Sequence, residues 1–226
     1  MTSENKARLD PIDRIRLPLR RSARLARMLF SLPRILNNMP VRVRKDLGSM
    51  PEPIQPQGLV VREMDMWSPV ELGEWVEIVN DAFEDYDYSA KDFRRVILNH
   101  KYKLFFATYI ALLRDEPVGC VSVGFYKDDP AKATCARIAV VKRARRQGIA
   151  SFLVLYGFCQ ARTRGAKIAE TEIAIKRSES LRLHFRLGCE PLYSLPQASV
   201  IGRLLQRAAN LRLSYCYWRW RRRSHA

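Results

Sequence analysis

The stretch AVVKRARRQGIASF, residues 139–152, decides how this chain is read. It passes from an apolar, strand-like run through a cluster of arginines to Gly148, and then into helical spacing. A strand that enters a helix through a glycine-containing turn leaves the first backbone N–H groups unpaired and convergent, with the positive end of the helix dipole behind them. Such a turn suits a phosphate. Gly148 keeps a side chain out of the approach, and Lys142, Arg143, Arg145 and Arg146 raise the local positive potential. The same residues also read as an ordinary surface connection with solvated arginines, because one glycine is a weaker signature than a nucleotide-binding glycine loop.

On either side of this turn the pattern is regular. TCARIAVV leads in as a strand, and Gly148 to Arg164 brings Ile149, Phe152, Leu153 and Tyr156 onto one helical face before Gly165 stops it. KIAETEIAI then reads as a strand, and SESLRLHFRLG as a helix with Ser178 as N-cap and Gly188 as terminator. Upstream, LFFATYIALL and PVGCVSVGFY, separated by a short turn, predict an antiparallel hairpin. LVVREMD predicts a first strand, followed by a helix over about Pro69 to Phe83 and a second, shorter one over Ala90 to Leu98. This order predicts a mixed α/β layer fold and not a bundle or an all-β sandwich.

Residues 1–58 are rich in arginine and proline, with few large apolar residues at regular spacing, and are expected to be an N-terminal extension and linker. Within it, Leu19 to Leu32 has the spacing of a short basic amphipathic helix and also reads as a solvated arm. Residues 59–194 are the expected folded domain. Residues 195–226 hold no acidic residue and end in aromatics and arginines, read as a last strand or helix merging into a basic tail.

Composition narrows the function classes. Across 226 residues, 40 Lys and Arg against 23 Asp and Glu give a formal charge of +17, which favours anionic partners without choosing among nucleic acid, lipid surfaces and phosphorylated small molecules. The five cysteines are odd in number and lack C-x-x-C spacing, so neither a disulfide framework nor a metal site is expected. That usage predicts a reducing, cytoplasmic setting. The apolar run Leu104 to Leu113 is too short to span a bilayer, which needs about 20 residues.

The turn at Arg145-x-x-Gly148-x-Ala150 resembles the acyl-CoA-binding motif of the GNAT superfamily of N-acyltransferases, and the order of strands and helices over residues 59–194 is similar to that family's, including R-L-G at Arg186 to Gly188. The resemblance implies a central mixed, mostly antiparallel sheet of six to seven strands flanked by about four helices. It implies acetyl-CoA as co-substrate, with Arg145 a defining position of the cofactor-binding motif and the pyrophosphate held by the backbone amides of Arg146, Gln147, Gly148, Ile149 and Ala150. Ile138, Ala139 and Val140 would then pair with the pantetheine arm. The sequence departs from the family pattern at Lys142, Arg146 and Cys189, where proline, glycine and an aromatic are common.

In similar enzymes an amine attacks the thioester directly, which needs a base for the ammonium, a donor for the carbonyl oxygen and an acid for the departing thiolate. The family's tyrosine acid corresponds here to His184, with Tyr193 as an alternative. Glu170 and Glu172 alternate onto one face of their strand, about 7 Å apart, as candidate bases. Glu84, Asp85 and Asp87 are candidates for attracting a cationic acceptor, with Tyr86 and Tyr88 lining its pocket, although an acidic loop balancing basic surface reads equally well. The expected partners are an amine acceptor, an anionic membrane surface reached through the basic termini, and a second copy of the chain; no nucleic-acid motif is present. The reading from a different class is a catalytically silent CoA-binding or polyanion- or membrane-surface-binding module.

Overall fold

The computed structural model describes residues 38–192 and 200–224. The basic segment at Leu19 to Leu32 and Tyr193 lie outside them. In chain order the elements are β1 (Pro40–Asp46), β2 (Leu59–Glu63), α1 (Pro69–Ala82), α2 (Ala90–Phe93), β3 (Lys103–Leu113), β4 (Glu116–Tyr126), β5 (Asp129–Val140), α3 (Ile149–Thr163), β6 (Ile168–Ala174), α4 (Ser178–Arg186), β7 (Glu190–Leu192) and α5 (Val200–Ser224).

The hairpin forms as its pattern predicts. β3 and β4 are joined by Arg114 and Asp115, both in the left-handed region at φ +52° and +62°, the geometry whose twist matches a two-residue hairpin. Around it grows a single sheet in the order β2-β3-β4-β5-β6-β1-β7, antiparallel except for β5 beside β6. The seven strands and five α-helices among the described residues match the expected mixed, mostly antiparallel architecture.

α1 starts where Pro69 occupies the first turn and the Ser68 hydroxyl accepts from the Glu71 N–H, and it buries Leu72, Trp75, Ile78 and Val79. Trp75 meets Tyr88 and Phe93 edge to face, so the connection after α1 is anchored to the core. α3 lies close against the sheet: a Cβ on Gly157 would stand 2.8 Å from the Cys135 sulfur. At the end of α4, Gly188 at φ +75° donates to Phe185 and Cys189 donates to His184, a Schellman closure.

Three expectations are corrected. The helix expected over Ala90 to Leu98 is α-helical only to Phe93 and continues as a wider π turn over Arg94–Leu98. Ser178 is the first residue of α4 and not its cap, which is Arg177. Of the two readings of the last segment, strand and helix, the structure has the helix: α5 buries Ala209 and Leu213 and lays Tyr217 and Trp220 against Phe185, with ring centroids 5.1 and 5.9 Å away.

The third correction concerns the extension. Residues 40–46, assigned by composition to a coreless arm, form β1, which runs antiparallel to β6 along its whole length from Pro40↔Ala174 to Asp46↔Ile168. Val41 and Val43 are fully buried. On the opposite face the Arg44 guanidinium donates to Glu170 from Nη2 at 2.8 Å and Nε at 3.2 Å, with Arg42 and Lys132 each 3.7 Å from the same carboxylate. Arginine and valine alternate here, but four residues of period-two pattern inside a proline-containing basic stretch are a weak strand signal.

Arg44→Ala is expected to destabilise the protein by about 2–4 kcal/mol, because it leaves a buried carboxylate with only its more distant cations, and adding Glu170→Gln is expected to recover part of that loss. Denaturant unfolding of the two single variants and the double variant checks this; strictly additive losses would contradict it. A chain beginning at Leu59 is expected to show no cooperative unfolding transition.

Candidate active site

Two properties of β5 open a cleft in the sheet. Its parallel pairing with β6 consists of Lys132↔Ile168 and Ala133↔Ala169 and then stops. Just beyond, between the pairs Ser122↔Ala136 and Cys120↔Ala139, β5 spends one residue more than β4, and Arg137 sits at φ +52°. A bulge bends the strand that carries it. β5 therefore turns away while β6 is held on its other edge by β1. Between them lies a cleft of about 380 Å³, walled by Cys135 to Ile138 of β5, Thr171 to Ala174 of β6 and the aromatic rings of Phe83, Tyr86 and Tyr88.

Backbone direction follows from register. The Val141 N–H donates to Val118 at 2.9 Å. Alternation along an antiparallel pair then points the polar groups of Val140 and Ile138 away from β4, toward the cleft, and those of Ala139 toward β4. The Val140 carbonyl accepts from Arg145 Nε at 3.3 Å.

The segment that leads into α3 reaches the cleft at Arg145. A 3-10 turn over Lys142–Ala144 leads through Arg146 at φ +64° to Gly148 at φ +80°. No hydrogen bond within the described residues uses the N–H groups of Arg146 to Ala150. A Cβ on Gly148 would meet nothing within 4 Å, so the space before these donors is open and the glycine is required by its backbone angle. Arg145 does not face an anion directly: its Nη2 donates to the Ala82 carbonyl at 2.9 Å and fastens the turn to the end of α1. Arg146 is exposed and makes no ion pair among the described residues.

The acidic connection after α1 behaves differently from a cation trap. Glu84 pairs with Lys142 at 2.8 Å, and Asp85 pairs with Lys176 and lies 3.8 Å from Arg177. Lys142 and Lys176 hold the two carboxyls below their ordinary range. Arg177 lies over the rings of Phe83 and Tyr86, at 4.3 and 5.4 Å. These contacts strap the aromatic wall to both banks of the cleft, and sequence reasoning gave no sign of the pairing.

A model of the acetyltransferase (GNAT) family matches residues 70–189, more than half of the chain. This chain belongs to the GNAT acetyltransferase family. Among solved structures it is similar to a GCN5-related N-acetyltransferase from Sphaerobacter thermophilus, with 19% identity over 68% of this chain and 48% of that one and a TM-score of 0.53. It is also similar to the tandem GNAT protein from the clavulanic acid biosynthesis pathway, with 18% identity over 67% of this chain and 50% of that one, again at a TM-score of 0.53. The aligned region spans about half the length of each of those chains, and at these identities the likeness concerns the fold. No curated protein sequence matches.

Within this GNAT fold the expected catalytic residues separate. Glu172 lines the cleft, is partly exposed, and receives Lys103 Nζ at 3.1 Å. Glu170, two residues away on the same face, does not line it; only 1% exposed, it is the anchor for Arg44, Arg42 and Lys132. Equal side-chain facing did not mean equal surroundings.

His184 forms part of the inner wall but is 1% exposed. Its Nδ1 lies 2.8 Å from the Ser180 carbonyl, an acceptor only, so Nδ1 carries the proton. Burial pushes the imidazole's pKa down, which keeps the ring neutral and leaves Nε2 with a lone pair and no proton. At neutral pH His184 therefore presents an acceptor at its free nitrogen and not the proton of a histidinium. That nitrogen has no hydrogen-bond partner, and neither do Arg137 Nε, Thr171 Oγ1 and Arg177 Nη2, all buried atoms of residues lining the cleft. Arg137, Thr171 and Arg177 were missed by sequence reasoning, since neither the bulge nor the strap has a local signature.

A histidine whose folded pKa lies below the unfolded value near 6.5 binds fewer protons when folded. Its contribution to stability is therefore complete above that value and is lost as pH falls below it toward the lowered folded pKa. Thermal unfolding between pH 7.5 and 5 is expected to show this loss, and His184→Gln to flatten that part of the profile; an unchanged slope in the variant would contradict it.

Proposed function

We propose that the protein is an N-acetyltransferase that moves an acetyl group from acetyl-CoA to a primary amine in the cleft between β5 and β6. The observation that supports this most is the set of unused N–H groups from Arg146 to Ala150, gathered at the start of a fifteen-residue helix at the mouth of a splayed sheet, with Gly148 leaving the approach open. The donor set fits a diphosphate: convergent N–H groups, a helix N-terminus and the free cation of Arg146. Ile138 and Val140, whose polar groups turn toward the cleft, fit an extended amide-containing arm lying beside β5 as an added strand would.

In this reading the amine enters past Phe83, Tyr86 and Tyr88. Glu172 takes a proton from the ammonium, directly or through water. The neutral nitrogen then attacks the thioester carbon, a C–N bond forms as the C–S bond breaks, and a backbone N–H of the bulged segment steadies the oxygen's developing charge. The departing thiolate takes a proton. His184 does not supply it from its neutral state; Tyr88, a cleft residue whose ring lies 5.4 Å from the Arg137 guanidinium, and water are the donors the cleft offers.

A second reading, a coenzyme-A-binding module without turnover, is favoured by the neutral state of His184. The two separate in one experiment. Calorimetric titration with coenzyme A is expected to show binding that Gly148→Glu abolishes by setting a carboxylate before the phosphates. Acetyl-CoA incubated with a panel of primary amines is expected to release free thiol, and Glu172→Gln to lower kcat/KM by about a hundredfold or more, the usual share of a general base, with coenzyme A affinity unchanged. Binding without thiol release on any amine would establish the module; no binding would refute both.

A further inference from the structure

α5 carries two aromatic faces, and the core uses one of them. Ala209, Leu213, Cys216, Tyr217 and Trp220 recur at helical spacing and pack inward, with Tyr217 and Trp220 against Phe185. On the opposite side Leu211, Tyr215 and Trp218 follow one another at four and three residues and stand 72%, 56% and 48% exposed. Tyr215 and Trp218 are stacked, with centroids 6.1 Å apart. Arg207 and Arg222 extend the same line at its two ends, and Arg222 covers the Trp218 ring at 4.2 Å. Arg212 and Arg219 flank one side of the stripe and Arg221 the other, all exposed. The helix holds no acidic residue.

An exposed leucine beside an amphipathic tyrosine and tryptophan, edged by arginines, asks for a partner that offers apolar depth beneath a layer of negative charge. A second copy of this chain at the stripe would set arginines against arginines. A polynucleotide would use the arginines and stacked rings but give the leucine nothing to enter. An anionic lipid surface satisfies all three: acyl chains for Leu211, the interfacial zone for Tyr215 and Trp218, and headgroup phosphates for the arginines. Among the described residues no helix is long and apolar enough to cross a membrane, so the contact is one of lying on the surface.

We infer that the Leu211–Tyr215–Trp218 face of α5 is a docking surface for anionic membranes, with the helix axis parallel to the bilayer and its buried face still closing the core. This inference is independent of the proposed chemistry, which needs nothing from this face.

Co-sedimentation of the full chain with vesicles tests it, using phosphatidylcholine alone and phosphatidylcholine with one-third phosphatidylserine. Binding to the anionic vesicles is expected, weakened by salt and absent on the neutral ones. Leu211→Ser with Trp218→Ser is expected to weaken it at least tenfold. Arg219→Gln with Arg222→Gln, which leaves the apolar stripe in place, is expected to weaken it about thirtyfold, the effect of removing two arginines near a charged surface. Because all four side chains are exposed, unchanged thermal unfolding is expected and identifies folded variants. Wild-type-like binding by both folded variants, equal binding to neutral vesicles, or binding to single-stranded RNA with none to vesicles would overturn the inference.

Discussion

Everything that gives this GNAT-family chain a site depends on one constraint: β5 and β6 pair as parallel neighbours for two residues and then part. A continuous ladder there would have made a closed sheet with no interior access. Two opposed holds keep the strands apart. On one side the bulge at Arg137 commits β5 to following β4, with one residue left over in a backbone conformation that non-glycine residues seldom adopt. On the other, β6 is fully occupied along its far edge by β1 and fixed through the buried Glu170. The space between has unpaired strand edges as its walls and therefore presents backbone donors and acceptors over much of its depth.

The mouth is organised by charge more than by apolar packing. Lys142 sits on the bank leading into α3 and Lys176 and Arg177 on the bank leading into α4, and carboxylates of one short connection reach both. These pairs are exposed and individually weak. Their effect is positional: they hold Phe83 and Tyr86 over the opening, while Asn80 holds the Tyr88 backbone by two hydrogen bonds of 2.9 and 2.7 Å. Much of the positive charge that sequence reading assigns to the phosphate site is thus spent in pairs and straps, and among the described residues of that turn the main-chain donors and Arg146 are left without such partners.

The sequence reveals the parts of this design that are local. The hairpin, α3 with its glycine-bounded ends, and the strand-helix succession around β6 all rest on periodicity and turn chemistry within a few residues, and the structure agrees with them. What was illegible is what depends on residues distant in the chain. β1 has to be recognised by its partner, about 126 positions away, because Val41 and Val43 alone do not distinguish a strand from an arm. Glu170 and Glu172 look alike until Arg44 is laid across one of them. His184 is read from its spacing to Gly188 as a proton donor, yet its charge state is set by the Ser180 carbonyl and by burial, neither of which spacing can convey. α5, rich in aromatics and β-compatible at its end, is helical because one of its faces has the core to pack on.

The placement of β1 also bears on how the molecule is made. During synthesis this strand emerges ahead of β6 and β7, the strands it pairs with among the described residues, which follow more than a hundred residues later. Until then two valines and a row of unpaired main-chain groups stay exposed beside a growing hydrophobic core, an arrangement that lengthens the search for native pairing and invites intermolecular strand exchange. The first described strand to leave the ribosome is thus among the last to be secured, and its pairing waits for β6 and β7.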